Sequence, residues 1–397
     1  MNSAVISHHK DFVDLCHHIQ AAGIVAFDTE FVSESTYRPA LGLLQFATEE
    51  QSAAVDPLSV GDLSMWWEIM ADDSTTVIVH GGQAEIRFCL QLIGRRPKKL
   101  FDIQMAEGFR SRSYPLSYSA IVQRVLNRRV DGSQTRTDWL RRPLSDDQLR
   151  YALEDVEHVR AIWKRQVNCL KKQGRLAWAE SEFERLITDI HADEQTPPWE
   201  RISGAHKLSR RDLAVLQSLA RWREGEAASR NRPVRRIMRD DLMIDLAKRK
   251  PRTGRQALAT RDLNRPEYKR QIDTIVQIIQ EACSIPDDEL PSRPEDRRQE
   301  SSSDEQVIGK LLSLSLSNRC AELDIAQSLV ANNLDLNELV RYHRFGMNGH
   351  GLPRILDGWR AEVCGQLLID VLDGKVGFRV APPGSSTPLV FEDLKPE

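Results

Sequence analysis

Hydrophobic residues in the first half of the chain alternate between short apolar runs and segments with helical spacing. Three segments have apolar residues at helical spacing and predict helices, namely 11–22, 62–70 and 84–92. Five apolar runs predict strands, namely 24–27, 41–47, 53–56, 77–80 and 100–102. Three early strands followed by alternating helices and strands indicate a mixed sheet flanked by helices. We therefore predict an α/β domain over residues 1–195.

The pattern changes to helical spacing alone after Thr196-Pro197-Pro198. Residues 200–290 predict a small all-helical domain, and residues 307–375 predict a second one. Between them, residues 291–306 are rich in Pro, Ser and charge, which is typical of a flexible linker. The Pro- and Ser-containing stretch that ends the chain predicts a disordered tail over residues 376–397.

Charge is distributed unevenly along the chain. The formal net charge of the whole chain is −3, but residues 205–270 contain 19 Lys/Arg and 8 Asp/Glu, a local charge of 19 − 8 = +11. A basic helical surface of this kind is suited to the phosphate backbone of a nucleic acid, and the alternative is a solvated charged face. The arginines that we expect to bind RNA are Arg230, Arg232, Arg235, Arg236 and Arg239.

Composition excludes several other classes of protein. Hydrophobic content of 41% and charged content of 28% are ordinary for a globular domain. The six cysteines are scattered without a Cys-x-x-Cys pair, which argues against a zinc site or a disulfide framework. The beginning of the chain lacks the apolar region of a signal peptide, and no apolar run reaches the ~18 residues of a membrane helix. We therefore expect a cytoplasmic protein with no membrane partner.

The stretch Asp28-Thr29-Glu30 is the first candidate for chemistry, because it ends the first predicted strand. Residues i and i+2 of an extended chain point to the same side, so Asp28 and Glu30 converge on one place. Two carboxylates this close repel each other unless a cation lies between them. The alternative is a solvated acidic turn.

Two further sites place acids at defined points of helices. Glu85 lies in the first turn of the helix after the fourth strand, where it is either a metal ligand or an acid that favours the helix dipole. Ser145 and Gln148 form a capping-box pattern that begins another helix. Tyr151 and Asp155 are one turn apart on that helix. The alternative for this last pair is a buried tyrosine beside a surface acid.

These motifs, in this order, resemble the DEDD superfamily of 3′–5′ exonucleases, and within its tyrosine subclass the ribonuclease D family. The likeness includes Phe27-Asp28-Thr29-Glu30-Phe31, Tyr37-Arg38-Pro39-Ala40-Leu41-Gly42, Arg136-Thr137-Asp138-Trp139 and Tyr151-Ala152-Leu153-Glu154-Asp155. The segment Leu208-Ser209-Arg210-Arg211-Asp212-Leu213 resembles the HRDC domain, and residues 307–375 resemble a second, divergent copy. The resemblance implies a ribonuclease-H-like exonuclease domain followed by two all-α HRDC domains.

The same resemblance implies two-metal phosphodiester hydrolysis. Asp28 would bridge two divalent cations, Mg²⁺ or Mn²⁺, while Glu30 and Asp155 would hold the cation on the side of the nucleophile. Glu85 would bind the second cation, and Tyr151 would orient the attacking water. The chain departs from the family pattern at two positions, with Glu85 in place of Asp and Gly132 in place of Lys.

The resemblance also implies a function and its alternatives. We expect a monomeric 3′–5′ exoribonuclease that binds single-stranded 3′ ends and trims transfer-RNA precursors and other structured RNAs. One alternative is a 3′–5′ DNA exonuclease with the same catalytic fold. The other is an RNA-binding protein with impaired catalysis, to which the two departures from the family pattern point.

Overall fold

A mixed five-stranded sheet forms the centre of the first domain. The computed structural model describes residues 5–130, 137–293, 302–346 and 351–394. The strands, in the spatial order β3-β2-β1-β4-β5, are β1 (Ile24–Val32), β2 (Ala40–Ala47), β3 (Ser52–Val55), β4 (Thr76–Val79) and β5 (Leu100–Asp102). The β1–β2 and β2–β3 pairs are antiparallel, whereas β1–β4 and β4–β5 are parallel. The predicted mixed sheet is therefore confirmed.

Helices cover both faces of this sheet because its strands are apolar on both faces. The helices of this domain are α1 (His9–Ala22), α2 (Pro57–Val60), α3 (Ser64–Met70), α4 (Gln83–Ile93), α5 (Ile103–Arg110), α6 (Tyr118–Leu126), α7 (Asp146–Glu157), α8 (Val159–Lys172) and α9 (Leu176–Gln195). Val25 and Phe27 of β1 pack with α1, α3 and α4 on one face. Ala26 of β1 and Ile78 of β4 pack with α5, α6 and α8 on the other.

The first helical domain has a hydrophobic core of its own. Its helices are α10 (Arg210–Ser229), α11 (Val234–Ile237), α12 (Asp240–Arg249), α13 (Gly254–Leu258), α14 (Pro266–Lys269) and α15 (Ile272–Cys283), preceded by a 3-10 turn at Ala205–Lys207. Its buried residues, from Trp199 to Ala282, pack against one another and form a cluster separate from those of the sheet. Polar contacts join it to the first domain, where the Tyr37 hydroxyl donates to Glu224 Oε2 at 2.8 Å.

The C-terminal helical domain, in contrast, shares its core with the sheet domain. Its helices are α16 (Ser303–Leu323), α17 (Gln327–Val330), α18 (Asn333–Phe345), α19 (Gly358–Arg360) and α20 (Gln366–Leu372), with a 3-10 turn at Arg354–Leu356 and a π turn at Ala361–Gly365. Leu316, Leu329 and Trp359 belong to the same buried cluster as Phe101 and Phe109. No helix in the described part of the chain is both long enough and apolar enough to cross a membrane.

Two boundaries differ from the sequence-based expectation. Helix α16 begins at Ser303, where Ser302 and Glu305 form a capping box, so the predicted linker to residue 306 includes the first turn of a helix. Within the predicted disordered tail, β6 (Val376–Val380) and β7 (Leu389–Asp393) form an antiparallel hairpin. Asn318 fixes this hairpin, since its Oδ1 accepts from the Leu389 amide at 3.0 Å and its Nδ2 donates to the Leu389 carbonyl at 3.2 Å.

Candidate active site

Strand β1 places Asp28 and Glu30 side by side at the end of the sheet. Asp28 is the middle residue of the strand and Glu30 lies in its second half, both after the buried residues Val25 to Phe27. Their pairing with β2 is regular up to Glu30, and the register shifts between Glu30 and Phe31. Because side chains alternate along a strand, Asp28 and Glu30 point to the face of the sheet that also holds Ala26.

Helix α7 brings Tyr151 and Asp155 to the same face. The predicted capping box begins the helix, since the Gln148 amide donates to Ser145 Oγ at 3.2 Å and the Gln148 side chain accepts from the Ser145 amide at 3.0 Å. Ala152, on the apolar side of α7, packs against Leu43 of β2. The helix therefore lies across the early strands, with one turn directed at the end of β1.

Three carboxylates form a single group at this place. Ligand oxygens of Asp28, Glu30 and Asp155 all lie within 4.8 Å of one another, and each side chain is half-buried. A compact set of oxygen ligands that remains accessible to solvent suits a hard divalent cation, which keeps open positions for water or substrate. The donor chemistry of these three residues therefore fits Mg²⁺ or Mn²⁺.

Glu85 lies beside this group but turns toward another partner. It is in the first turn of α4, and only 3% of its surface is exposed. The Thr29 hydroxyl donates to Glu85 Oε1 at 2.6 Å, so one oxygen of this carboxylate has a protein partner. The group of oxygens within 4.8 Å does not include Glu85. Its role as a ligand of a second cation stays a prediction, and Gly132, the second departure, lies outside the described residues.

Burial shifts the pKa values of the acids upward, and at Asp28 and Glu30 the neighbouring carboxylates add to the shift. Burial and the carboxylates of Glu85, Asp155 and Glu30 raise the pKa of Asp28 well above its usual range. Burial and the same kind of repulsion raise the pKa of Glu30 to about 8. Burial raises the pKa of Glu85 to about 7 and that of Asp155 to about 6, the latter despite an opposing hydrogen bond from Tyr151. Without a cation, these acids therefore retain protons close to neutral pH.

Tyr151 is held as a neutral phenol. Burial, together with the Asp155 and Glu30 carboxylates, raises the pKa of Tyr151 well above its ordinary value. Its ring lies 6.2 Å from that of the buried Trp139, between centroids. A neutral phenol can donate a hydrogen bond and accept another, so Tyr151 is suited to orienting a water molecule rather than to removing a proton from it.

The pKa shifts predict that cation binding becomes tighter as the pH rises. A cation that binds at Glu30 must displace a proton from a group whose pKa is about 8, and a cation that also binds at Glu85 must displace one from a group whose pKa is about 7. We expect the affinity for Mn²⁺ in the absence of RNA to increase roughly tenfold per pH unit up to about pH 8 through Glu30, and more steeply below about pH 7, where Glu85 also holds a proton. Titration calorimetry at three pH values measures this slope, and an affinity independent of pH would contradict the prediction.

An ion pair and a close contact fix the segment that precedes α7. Arg142 forms a bidentate pair with Asp56, with Nη2 at 2.6 Å from Oδ1 and Nε at 2.8 Å from Oδ2, and it also donates to the Gly42 carbonyl. Residue 42 must be glycine here, because a Cβ atom on it would lie 2.6 Å from Trp139 Cβ. Gly42 and Trp139 belong to the motifs quoted above, but the ion pair of Arg142 with Asp56 could not be assigned from sequence.

The predicted RNA-binding arginines differ in whether they form ion pairs with acidic residues of the protein. Arg230 is paired with Glu226, Arg235 with Asp240, and Arg239 with Asp241 and Asp262. Arg232 and Arg236 are exposed and form no ion pair with any residue that the structure describes. These two side chains could therefore contact RNA phosphates without breaking an existing ion pair.

The same arginines lie next to a loop of the first domain. Asn231, between Arg230 and Arg232, accepts a hydrogen bond from the Tyr37 amide at 3.2 Å. Tyr37 belongs to the loop that joins β1, the strand of Asp28 and Glu30, to β2. The basic segment 230–239 therefore contacts the β1–β2 loop, which follows the strand that bears Asp28 and Glu30.

Comparisons with known proteins agree with this architecture. The model of the 3'-5' exonuclease family matches residues 4–170, and that of the HRDC domain matches residues 212–279. Ribonuclease D of Zymomonas mobilis is 31% identical over 370 residues, which cover 92% of this chain and 93% of that protein. Ribonuclease D of Sphingobium indicum is 31% identical over 381 residues, which cover 95% of this chain and 96% of that protein.

A solved structure extends this similarity to the whole molecule. The crystal structure of Escherichia coli RNase D, described as an exoribonuclease involved in structured RNA processing, superposes with a TM-score of 0.81. The two chains are 28% identical, and the match covers 94% of this chain and 99% of the other. The sheet domain and both helical domains thus have counterparts in one known enzyme.

Proposed function

Because this chain belongs to the ribonuclease D family of 3′–5′ exoribonucleases, we propose that it trims RNA 3′ ends by two-metal-ion hydrolysis. The main support is the group of Asp28, Glu30 and Asp155 oxygens within 4.8 Å of one another, with Tyr151 one turn from Asp155. Neutralisation of such a group by cations removes the repulsion that raises the pKa values of its members.

Each residue of the group has a distinct task in this proposal. Asp28 would be a ligand of both cations, and Glu30 and Asp155 would complete the site on the side of the attacking water. Glu85, which accepts a hydrogen bond from Thr29, would bind the second cation. Tyr151, whose raised pKa keeps it protonated, would orient the attacking water. Divalent cations, when bound, supply Lewis-acid chemistry that activates water near neutral pH and stabilises the leaving 3′-oxygen.

Transfer-RNA precursors and other structured RNAs are the proposed substrates. The description of the Escherichia coli relative as an enzyme of structured RNA processing supports this class. Support also comes from the basic segment 230–239 beside the β1–β2 loop, because positive charge along the path to a catalytic centre attracts a single-stranded end.

Digestion of a 3′-extended transfer-RNA precursor labelled at its 5′ end tests the proposal. With Mg²⁺ or Mn²⁺, we expect a ladder of products that shorten from the 3′ end, and we expect a chelator to stop it. A DNA strand of the same sequence is the matched control, since the 2′-hydroxyl distinguishes the two polymers. Internal cleavage, undiminished activity in chelator, or equal rates on RNA and DNA would contradict the proposal.

Neutralising the two unpaired arginines is expected to weaken RNA binding without affecting the chemical step. The double variant Arg232→Ala/Arg236→Ala should reduce the slope of log affinity against log salt by roughly 0.7 for each lost phosphate contact. Filter binding over a range of salt concentrations measures this slope. Arg96→Ala, which removes a partly exposed arginine paired with Glu184 outside the basic segment, is the control and should leave the slope unchanged.

A further inference from the structure

Gln45 is a buried amide within the otherwise apolar strand β2. Its exposed surface is 0%, and neither its Nε2 nor its Oε1 has a hydrogen-bond partner among the residues that the structure describes. The residues on either side, Leu44 and Phe46, are buried and apolar. Burial of an amide with both polar atoms unpaired is unfavourable, so such a group in a folded protein calls for an explanation.

The sheet register places Gln45 next to the carboxylate group. In the antiparallel pair β1–β2, Gln45 is directly opposite Asp28. Side chains of directly opposed residues lie on the same face of the sheet, with Cβ atoms about 4.5–5.5 Å apart. Gln45 therefore shares with Asp28 the face that receives the acids.

Helix α7 packs over the face of β2 to which the Gln45 side chain points. Leu43 and Ala47, two residues before and after Gln45, point to the same face as Gln45. Leu43 packs with Ala152 of α7, and Ala47 belongs to the cluster of Val156, also on α7. The amide thus lies between β2 and the turns of α7 that flank Asp155.

The chemistry of the neighbouring group matches an amide donor. A carboxylate that binds a cation keeps oxygen lone pairs, which usually accept hydrogen bonds from residues outside the set of metal ligands. Such outer partners fix the orientation of the ligand. Thr29 is an outer partner of this kind for Glu85, whose Oε1 accepts a hydrogen bond from the Thr29 hydroxyl at 2.6 Å. Asp28, half-buried and opposite Gln45, offers the corresponding acceptor for Nε2.

We propose that Gln45 is a positioning residue of the cation site, which donates from Nε2 to the Asp28 carboxylate when cations are bound. This inference rests on the proposed two-metal function, and it assigns Gln45 no contact with RNA. The hydrogen bond from Nε2 to Asp28 would then give the buried amide of Gln45 a partner. Gln45 acts through Asp28, because it would hold the Asp28 carboxylate in the orientation needed to bind both cations.

The variant Gln45→Met separates this role from a purely structural one. Methionine is unbranched, similar in length and apolar, so it fills the same space without an unpaired polar group. We expect the melting temperature in chelator to rise by roughly 1–3 °C. We also expect the affinity for Mn²⁺, measured by calorimetry without RNA, to fall by about 10- to 100-fold. A structural amide would give the opposite pair of results, a lower melting temperature and unchanged affinity.

Gln166→Met is the matched control, because Gln166 is equally buried but its Nε2 has partners. Its exposed surface is 0%, and its Nε2 donates to the Ile103 carbonyl and to Glu107 Oε2, each at 3.0 Å. Its replacement should lower the melting temperature and leave the Mn²⁺ affinity unchanged.

Three outcomes would overturn the inference. If Gln45→Met binds Mn²⁺ as tightly as the wild type, Gln45 does not position the site, whatever its effect on stability. If the wild type itself binds no Mn²⁺, the proposed function fails and the inference with it. Should Gln45→Met not fold, side-chain amide signals of ¹⁵N-glutamine-labelled wild type, assigned with the uncharged variant Gln45→Asn, decide the matter. A shift of the Gln45 signal on addition of Mg²⁺ supports the inference, and an unchanged signal overturns it.

Discussion

Replacement of Asp28 by Asn is expected to slow RNA trimming about a thousandfold or more, while RNA binding persists. Asp28 is central to the carboxylate group, since Glu85, Asp155 and Glu30 all contribute to its raised pKa. Loss of a ligand shared by two cations removes several kcal/mol of transition-state stabilisation, and each 1.36 kcal/mol corresponds to about a factor of ten. Single-turnover rates on 5′-labelled RNA with Mg²⁺ measure the effect.

The stability of Asp28→Asn provides an independent check. An uncharged amide removes one member of a repelling group, so the cation-free variant should be at least as stable as the wild type. Glu157→Gln, on the exposed side of the same helix as Asp155, is the control and should trim RNA at the wild-type rate. A rate for Asp28→Asn within tenfold of the wild type would exclude a shared ligand at this position.

Replacement of Arg360 by Met is expected to lower the free energy of unfolding by about 3–5 kcal/mol. Arg360 is 3% exposed, and its Nη1 lies 2.6 Å from Oε1 of Glu182, which is 1% exposed. It also donates to the carbonyls of Leu329 and Val330, both at 2.9 Å. The variant therefore removes the donor of the Leu329 and Val330 carbonyls, leaves Glu182 with Arg185 as its main partner, and weakens the interface between the C-terminal domain and α9. Urea denaturation at pH 7 measures the loss.

The pH dependence of this interface follows from the pKa of Glu182. Burial opposes ionisation, but hydrogen bonds from Arg360 and Arg185 outweigh it and lower the pKa of this carboxyl to about 2. The stabilisation is therefore complete above the unfolded value of about 4.5 and is lost as the pH falls toward 2. Arg360→Met should lose less stability than the wild type over this range. Arg379→Met, which breaks an exposed pair with Glu392, should behave like the wild type at every pH.

Local signals in the sequence were sufficient for much of the fold. The apolar run before Asp28 predicts β1, and the Ser145–Gln148 capping box predicts the start of α7, which the structure places at Asp146. The hairpin within residues 376–393 differs from the predicted disordered tail, and the contact of Asn318 with Leu389 that holds it joins residues distant in sequence. Alternation of Val376, Phe378 and Val380 was an available signal, although Val380 remains 80% exposed.

The site was less accessible to sequence reasoning, because it depends on side-chain direction. Spacing predicts that Asp28 and Glu30 converge, and the structure brings Asp155 to them. The direction of the Glu85 carboxylate depends on Thr29, whose hydroxyl is fixed only after β1 and α4 have packed. Gln45 was hidden in a strand described as apolar, although a lone amide in such a run was a signal in itself.

The two helical domains differ in how readily they could be exchanged between relatives. Residues 199–282 bury their apolar side chains against one another, so this domain could be transferred whole into a chimaeric protein. The C-terminal domain could not be transferred in this way, because its core is shared with the sheet domain. Trp359 packs against Phe109 with ring centroids 5.0 Å apart, and a Cβ atom on Gly108 would lie 2.5 Å from Leu329 Cδ1. A transplanted copy would need a recipient surface that fits it, so we expect the nuclease domain and the C-terminal domain to be exchangeable only together.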